Sequence, residues 1–118
     1  MTKPVTIYHN PRCSKSRETL ALLQQQGIEP EVVLYLDTPP DAAALGKLLK
    51  QLGFASARAL MRRKEDLYRE LNLADDSLTE AQLIQALADH PKLIERPIVV
   101  ANGKAKLGRP PEQVLDIL

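Results

Sequence analysis

Residues 4–36 read PVTIYHNPRCSKSRETLALLQQQGIEPEVVLYL, and the succession of patterns in this stretch decides the fold. Pro4 to Tyr8 are β-branched and aromatic, the composition of a strand. His9-Asn10-Pro11 breaks it. Ser14 then N-caps a helix that carries Arg17 in its first turn. Leu20, Leu22 and Leu23 recur at helical spacing, glutamines fill the outer face, and Gly27 marks the stop. Glu31 to Leu36 is a second strand. A strand, a helix and a strand in this short span make a βαβ unit, whose two strands lie parallel.

Further along, Thr38-Pro39-Pro40-Asp41 opens a helix with Leu45, Leu48, Leu49 and Leu52 on its apolar face and Gly53 at its end. Residues 55–93 are expected to be helical, with Leu67 and Leu71 on one face. Ser77-Leu78-Thr79-Glu80 starts another helix that turns Leu83, Ile84 and Leu87 inward. Pro97 to Ala101 is a third strand, Asn102-Gly103 is a two-residue hairpin signal, and Lys104 to Leu107 returns. Pro110 and Pro111 precede a final helix from Glu112 to Leu118, with Val114, Leu115 and Leu118 apolar. The order is β-α-β, a helical block, then β-β-α. This predicts one α/β domain over residues 1–118, thioredoxin-like, with a mixed sheet and a helical insertion at roughly 41–93 between its halves.

The chain has 118 residues, 44% hydrophobic and 26% charged, which suits one modest core. Sixteen basic residues against fifteen acidic ones leave no broad basic footprint for nucleic acid. One Phe, three Tyr and no Trp make a base-stacking platform a poor reading. No run approaches the roughly 20 apolar residues of a membrane span, and none at the N-terminus suits a signal peptide. The expectation is a cytoplasmic protein that binds neither membrane nor nucleic acid. A single cysteine, kept as a thiol in a reducing compartment, agrees with that.

That cysteine, Cys13, sits where the first strand gives way to the first helix. A helix N-terminus favours a thiolate, and Arg12, Lys15 and Arg17 add positive charge. His9 is placed to hydrogen-bond the sulfur or, when protonated, to pair with it. The amides of Ser14, Lys15 and Ser16 are placed to receive an anion. The plain alternative is an inert buried cysteine, which has no need of three cations within four residues. Spacing excludes other chemistries. A dithiol oxidoreductase would carry Cys at position 16, which is Ser16. A phosphatase-type loop would carry Arg at position 19, which is Thr19. One Cys with His9 and His90 makes no zinc pattern, so no metal is expected.

Arginines stand at three further element boundaries: Arg62, Arg96 and Arg109. Their forked, permanently charged head groups suit tetrahedral oxyanions, but spacing alone does not bring them to Cys13. Four ordered segments add to this: YHNPRCSKSR at 8–17, ALMRRKEDLYRELNL at 59–73, HPKLIERPIVV at 90–100 and LGRPPEQVLDIL at 107–118. Together they resemble the glutaredoxin-dependent arsenate reductase family, whose fold is thioredoxin-like, over nearly the whole chain. The resemblance implies that Cys13 attacks arsenate and that Arg62, Arg96 and Arg109 bind the oxyanion. Arg63 competes with its neighbour for the first role, and motif register favours Arg62. It also implies that His9 tunes the thiolate, that Ser16 hydrogen-bonds the sulfur, and that the Arg96-Pro97 bond is cis.

The activity so implied is reduction of arsenate to arsenite through an arseno-cysteine on Cys13. No cofactor is expected to be bound. Glutathione and glutaredoxin are the external reductants, as a chain with one thiol requires. Two other readings stand beside it. Related proteins are redox-responsive regulators that bind RNA polymerase, although Ser16 replaces the second cysteine of such switches. Single-cysteine enzymes also transfer thiols on glutathione adducts, although three arginines suit an inorganic oxyanion better.

Overall fold

The first strand, β1, runs Val5–His9 and buries Val5, Ile7 and His9 in alternation, as a strand with one covered face must. It extends through His9, one residue beyond the expected break, and Pro11 is the effective stop. The computed structural model describes residues 4–118, so Met1 to Lys3 lie outside the described residues. The described chain forms two compact units, one of residues up to Thr38 with Arg96–Leu118, the other Pro39–Glu95.

In the first unit, helix α1 spans Ser14–Gln25 and buries Ser16, Thr19 and Leu23. Its N-cap is Cys13, at φ −95° and ψ 123°, not Ser14. The reason lies in the turn before it. The Cys13 amide closes that turn on the Asn10 carbonyl at 3.0 Å, and its own carbonyl accepts the first helical bond, from Arg17, at 3.0 Å. Strand β2 is Glu31–Leu34, parallel to β1 with His9 beside Leu34. It ends two residues early because the Leu34 carbonyl accepts from both Asp37 and Thr38 at 2.9 Å, which turns the chain.

Strands β3, Ile98–Ala101, and β4, Lys104–Leu107, form the expected hairpin. Asn102 and Gly103 both have positive φ, 56° and 75°, the signature of a type I′ turn. The sheet order is β2-β1-β3-β4, with β3 antiparallel to both neighbours. This mixed four-stranded sheet, with the βαβ unit preceding the hairpin, is the thioredoxin-like arrangement. The final element is a 3-10 helix, Pro111–Ile117, rather than an α-helix. Three residues per turn bury Pro111, Val114 and Ile117 and leave Leu115 and Leu118 exposed. Val5, Ile7, Leu23, Val99, Ala101, Val114 and Ile117 form the core of this unit.

The second unit is helical but more broken than its composition suggests. Helix α2, Ala42–Leu52, is capped by Asp41 and ended by Gly53 at φ 75°, and it packs on a later helix, α4, Glu80–Asp89. Thr79 and Gln82 close a capping box on α4. Between them lie a 3-10 turn at Ala57–Leu60 and the short helix α3, Asp66–Glu70. Met61 is extended because it bridges to Ile94. Asn72, at φ 53°, follows the end of α3; Leu73 is buried, and Leu71, read as sharing a helical face with Leu67, is exposed. Among the described residues no helix is long and apolar enough to cross a membrane.

Candidate active site

Topology brings one end of three strands together. Tyr8 pairs with Ile98 and Ile98 with Leu107, so the end of β1, the start of β3 and the end of β4 share one edge of the sheet. Arg96 lies two residues before that rung and Arg109 two residues after it. The Cys13 turn leaves β1 at the same place. Residues far apart in sequence therefore meet because a hairpin flanks the central strand.

Cys13 is buried, with 9% of its surface exposed. Burial opposes ionisation of its thiol, yet its pKa lies below the ordinary thiol value. The Ser16 backbone amide, the charges of Arg96 and Arg109, and the Lys15 amide together outweigh the burial. Arg109 touches the sulfur directly: its Nη2 donates to Sγ at 3.6 Å while its Nε donates to the Arg96 carbonyl at 2.7 Å. The Gly108 amide donates to the Pro97 carbonyl at 3.0 Å, tying the two segments together. The Arg96-Pro97 bond is cis, as the resemblance implied, and so is Arg109-Pro110.

Ser16 meets the sulfur through its amide. Its hydroxyl is engaged elsewhere: it lies 2.6 Å from His9 Nδ1 and accepts from the Asn10 amide at 3.0 Å. Burial, and then the charge of Arg17, hold the His9 pKa below its ordinary value. The lowered pKa favours the neutral imidazole, and His9 Nδ1 and the Ser16 hydroxyl share one hydrogen bond. Burial and the Arg17 charge work against the protonated His9 that would pair with the thiolate. His9 contacts the loop that holds the sulfur through the Ser16 hydroxyl.

The charges expected from the loop itself are turned aside. Lys15 pairs with Glu18 at 3.5 Å, and Arg17 donates to the Pro11 carbonyl at 2.9 Å across the turn. Arg12 is exposed. The cations that lower the thiol pKa are Arg96 and Arg109, which spacing alone did not connect to Cys13.

Arg62 and Arg63 belong to the Pro39–Glu95 unit. The Arg62 amide donates to the Leu93 carbonyl at 2.7 Å, and its Nη1 donates to the Lys92 carbonyl at 3.4 Å and faces Glu65 at 3.4 Å. Lys92 approaches the other Glu65 oxygen at 3.2 Å. Arg63 is exposed.

A buried, activated thiol at a helix start, with two arginines at the ends of a hairpin, is the geometry against which known relatives are compared. An arsenate reductase of Neisseria meningitidis serogroup A is 56% identical over 97% of each chain. The protein YfgD of Escherichia coli K12 is 75% identical over 100% of this chain and 99% of its own. The solved structure of an arsenate reductase from Vibrio cholerae superposes with a TM-score of 0.98 at 61% identity, covering 100% of both chains. The model of the ArsC family matches residues 8–117, which include both the Cys13 turn and the Arg109 segment. Sequence, fold and the loop around its one cysteine together place this chain in the ArsC family.

Proposed function

We propose that the chain reduces arsenate to arsenite through a covalent arseno-cysteine on Cys13, with glutathione and glutaredoxin as external reductants. The observation that carries this reading is the Arg109 guanidinium 3.6 Å from Sγ, beside helix-start amides that also face the sulfur. One set of donors both stabilises the thiolate and suits an anionic substrate. The names of the Neisseria meningitidis and Vibrio cholerae relatives support arsenate as that anion.

The thiolate forms a sulfur–arsenic bond, and one arsenate oxygen departs as water after taking up protons. Arg96 and Arg109 offset the charge of the remaining oxygens. A glutathione thiolate then attacks the Cys13 sulfur. The sulfur–arsenic bond breaks, and its electron pair takes arsenic from the pentavalent to the trivalent state. A Cys13–glutathione disulfide is left, and glutaredoxin opens it to restore the thiol. Arg62 enters this set on motif correspondence with the family alone.

The test is arsenate-dependent NADPH oxidation coupled to glutathione and glutaredoxin. Wild type turns over and Cys13→Ser does not. Arg62→Ala, Arg96→Ala and Arg109→Ala each raise the KM for arsenate by about tenfold or more, the scale of a charged hydrogen bond. Absence of wild-type turnover, or undiminished turnover in Cys13→Ser, overturns the proposal. Full activity in all three arginine variants overturns the residue assignment.

A further inference from the structure

Gly108 and Thr19 come from opposite halves of the chain. Thr19 is fully buried in α1, and its hydroxyl donates to the Lys15 carbonyl at 2.8 Å, one turn back toward the helix start. A Cβ placed on Gly108 would collide with the Thr19 hydroxyl, stand 3.1 Å from its methyl carbon and lie 2.8 Å from Pro97 Cγ. None of the other four glycines has a neighbour within 4 Å of such a Cβ. Three have positive φ and serve turns, whereas Gly108 serves contact.

We infer that Gly108 is a positioning residue: its missing side chain lets the Gly108-Arg109 segment lie against Thr19, and this close approach sets the distance of the Arg109 guanidinium from the Cys13 sulfur. Two hydrogen bonds fix the segment on its other side, from the Gly108 amide to the Pro97 carbonyl and from Arg109 Nε to the Arg96 carbonyl. The segment is thus held between α1 and the Arg96-Pro97 segment. A side chain at 108 widens that space and carries Arg109 away from Sγ. Position 19 acquires a meaning here. A phosphatase-type loop would supply an arginine from this position. In this chain position 19 is a compact β-branched residue, and the cation arrives from position 109 on the segment packed over it.

The inference rests on the reading that Arg109 acts on Cys13, and the experiment separates the two. The rate of Cys13 alkylation by iodoacetamide is followed against pH in the full chain for wild type, Arg109→Gln, Gly108→Ala and Gly108→Ala/Thr19→Ala. Thr19→Ala removes the hydroxyl and methyl that the new Cβ would meet. Thermal melts of the same samples report folding. Arg109→Gln raises the thiol pKa, which lowers the rate at pH 7 by about threefold or more. Gly108→Ala shifts the profile in the same direction, and adding Thr19→Ala, which leaves the Pro97 contact in place, brings it measurably back toward wild type. A merely structural role would lower the melting temperature without moving the profile.

An unchanged profile in Arg109→Gln overturns the reading of Arg109 and this inference with it. A shifted profile in Arg109→Gln but not in folded Gly108→Ala overturns the inference alone. If Gly108→Ala does not fold, Thr19→Val decides: it keeps the bulk against Gly108, so a wild-type profile supports the inference, and one matching Arg109→Gln overturns it.

Discussion

Ser16 is fully buried, and its polar atoms divide the work around Cys13. Its amide reaches the sulfur, while its hydroxyl joins the Asn10 amide to His9. Burial and the Arg17 charge favour a neutral imidazole in this arrangement. The pH consequence has a definite sign. Folding holds the His9 pKa below its unfolded value of about 6.5, so below that pH the unfolded chain binds more protons. The His9 contribution to stability is complete above about pH 6.5 and is lost as the pH falls through the lower, folded value. The melting temperature therefore declines from pH 7 to pH 5, and His9→Asn, which has no titrating ring, shows a smaller decline. Equal slopes for the two proteins contradict this. At this scale the sequence pointed to a cysteine whose pKa is lowered in the fold, and to half of its surroundings. Helix-start amides are a local property and are legible in a string of residues. The charges were misread because proximity in sequence is not proximity of head groups. Lys15 and Arg17 find partners at Glu18 and the Pro11 carbonyl, whereas Arg96 and Arg109 reach the sulfur through a sheet that no local pattern describes.

Turns and strands were the elements most open to reading. Strand β4 and the Asn102-Gly103 turn follow directly from composition, because positive φ at two successive positions admits few residues. Asn102 does more than tolerate this backbone. Its Nδ2 donates to the Ile117 carbonyl at 2.7 Å, fastening the hairpin to the last turn of the chain. Asn102→Ala loses that bond and places a Cβ-bearing residue without a compensating side chain in the left-handed region. The expected cost is about 2 kcal/mol, or a fall of roughly 5–10 °C in melting temperature. The hairpin tip lies at the opposite end of β3 from Arg96, so the alkylation rate of Cys13 stays at the wild-type value. A melting temperature within about 1 °C of wild type would count against the anchoring role. The broken middle and the C-terminal 3-10 helix were not legible, for a shared reason. Leucine spacing is similar for an α-helix and for a run of short helical turns, and the choice is made by what each turn packs against. Met61 is held extended by Ile94, and Val114 and Ile117 follow a three-residue period onto the core.

At the scale of the whole molecule, one thiol sets the stoichiometry of any redox chemistry. The chain has a single cysteine, so no intramolecular disulfide can form and no second sulfur can displace arsenic from Cys13. Two electrons are needed to take arsenate to arsenite, and in the proposed reaction Cys13 with one external thiol supplies them as a disulfide. Arsenate added to the reduced protein without glutathione should therefore release no arsenite. Addition of glutathione alone should release at most one arsenite per chain and leave a protein heavier by one glutathione. Addition of glutaredoxin should then restore the thiol and permit a second turnover. Intact-protein mass spectrometry with an arsenite assay follows all three stages, and Cys13→Ser should show no adduct at any of them. Arsenite released before any thiol is added contradicts the scheme. A disulfide-linked pair of these chains as the main product contradicts it too, because the resolving sulfur would then come from a second copy rather than from glutathione.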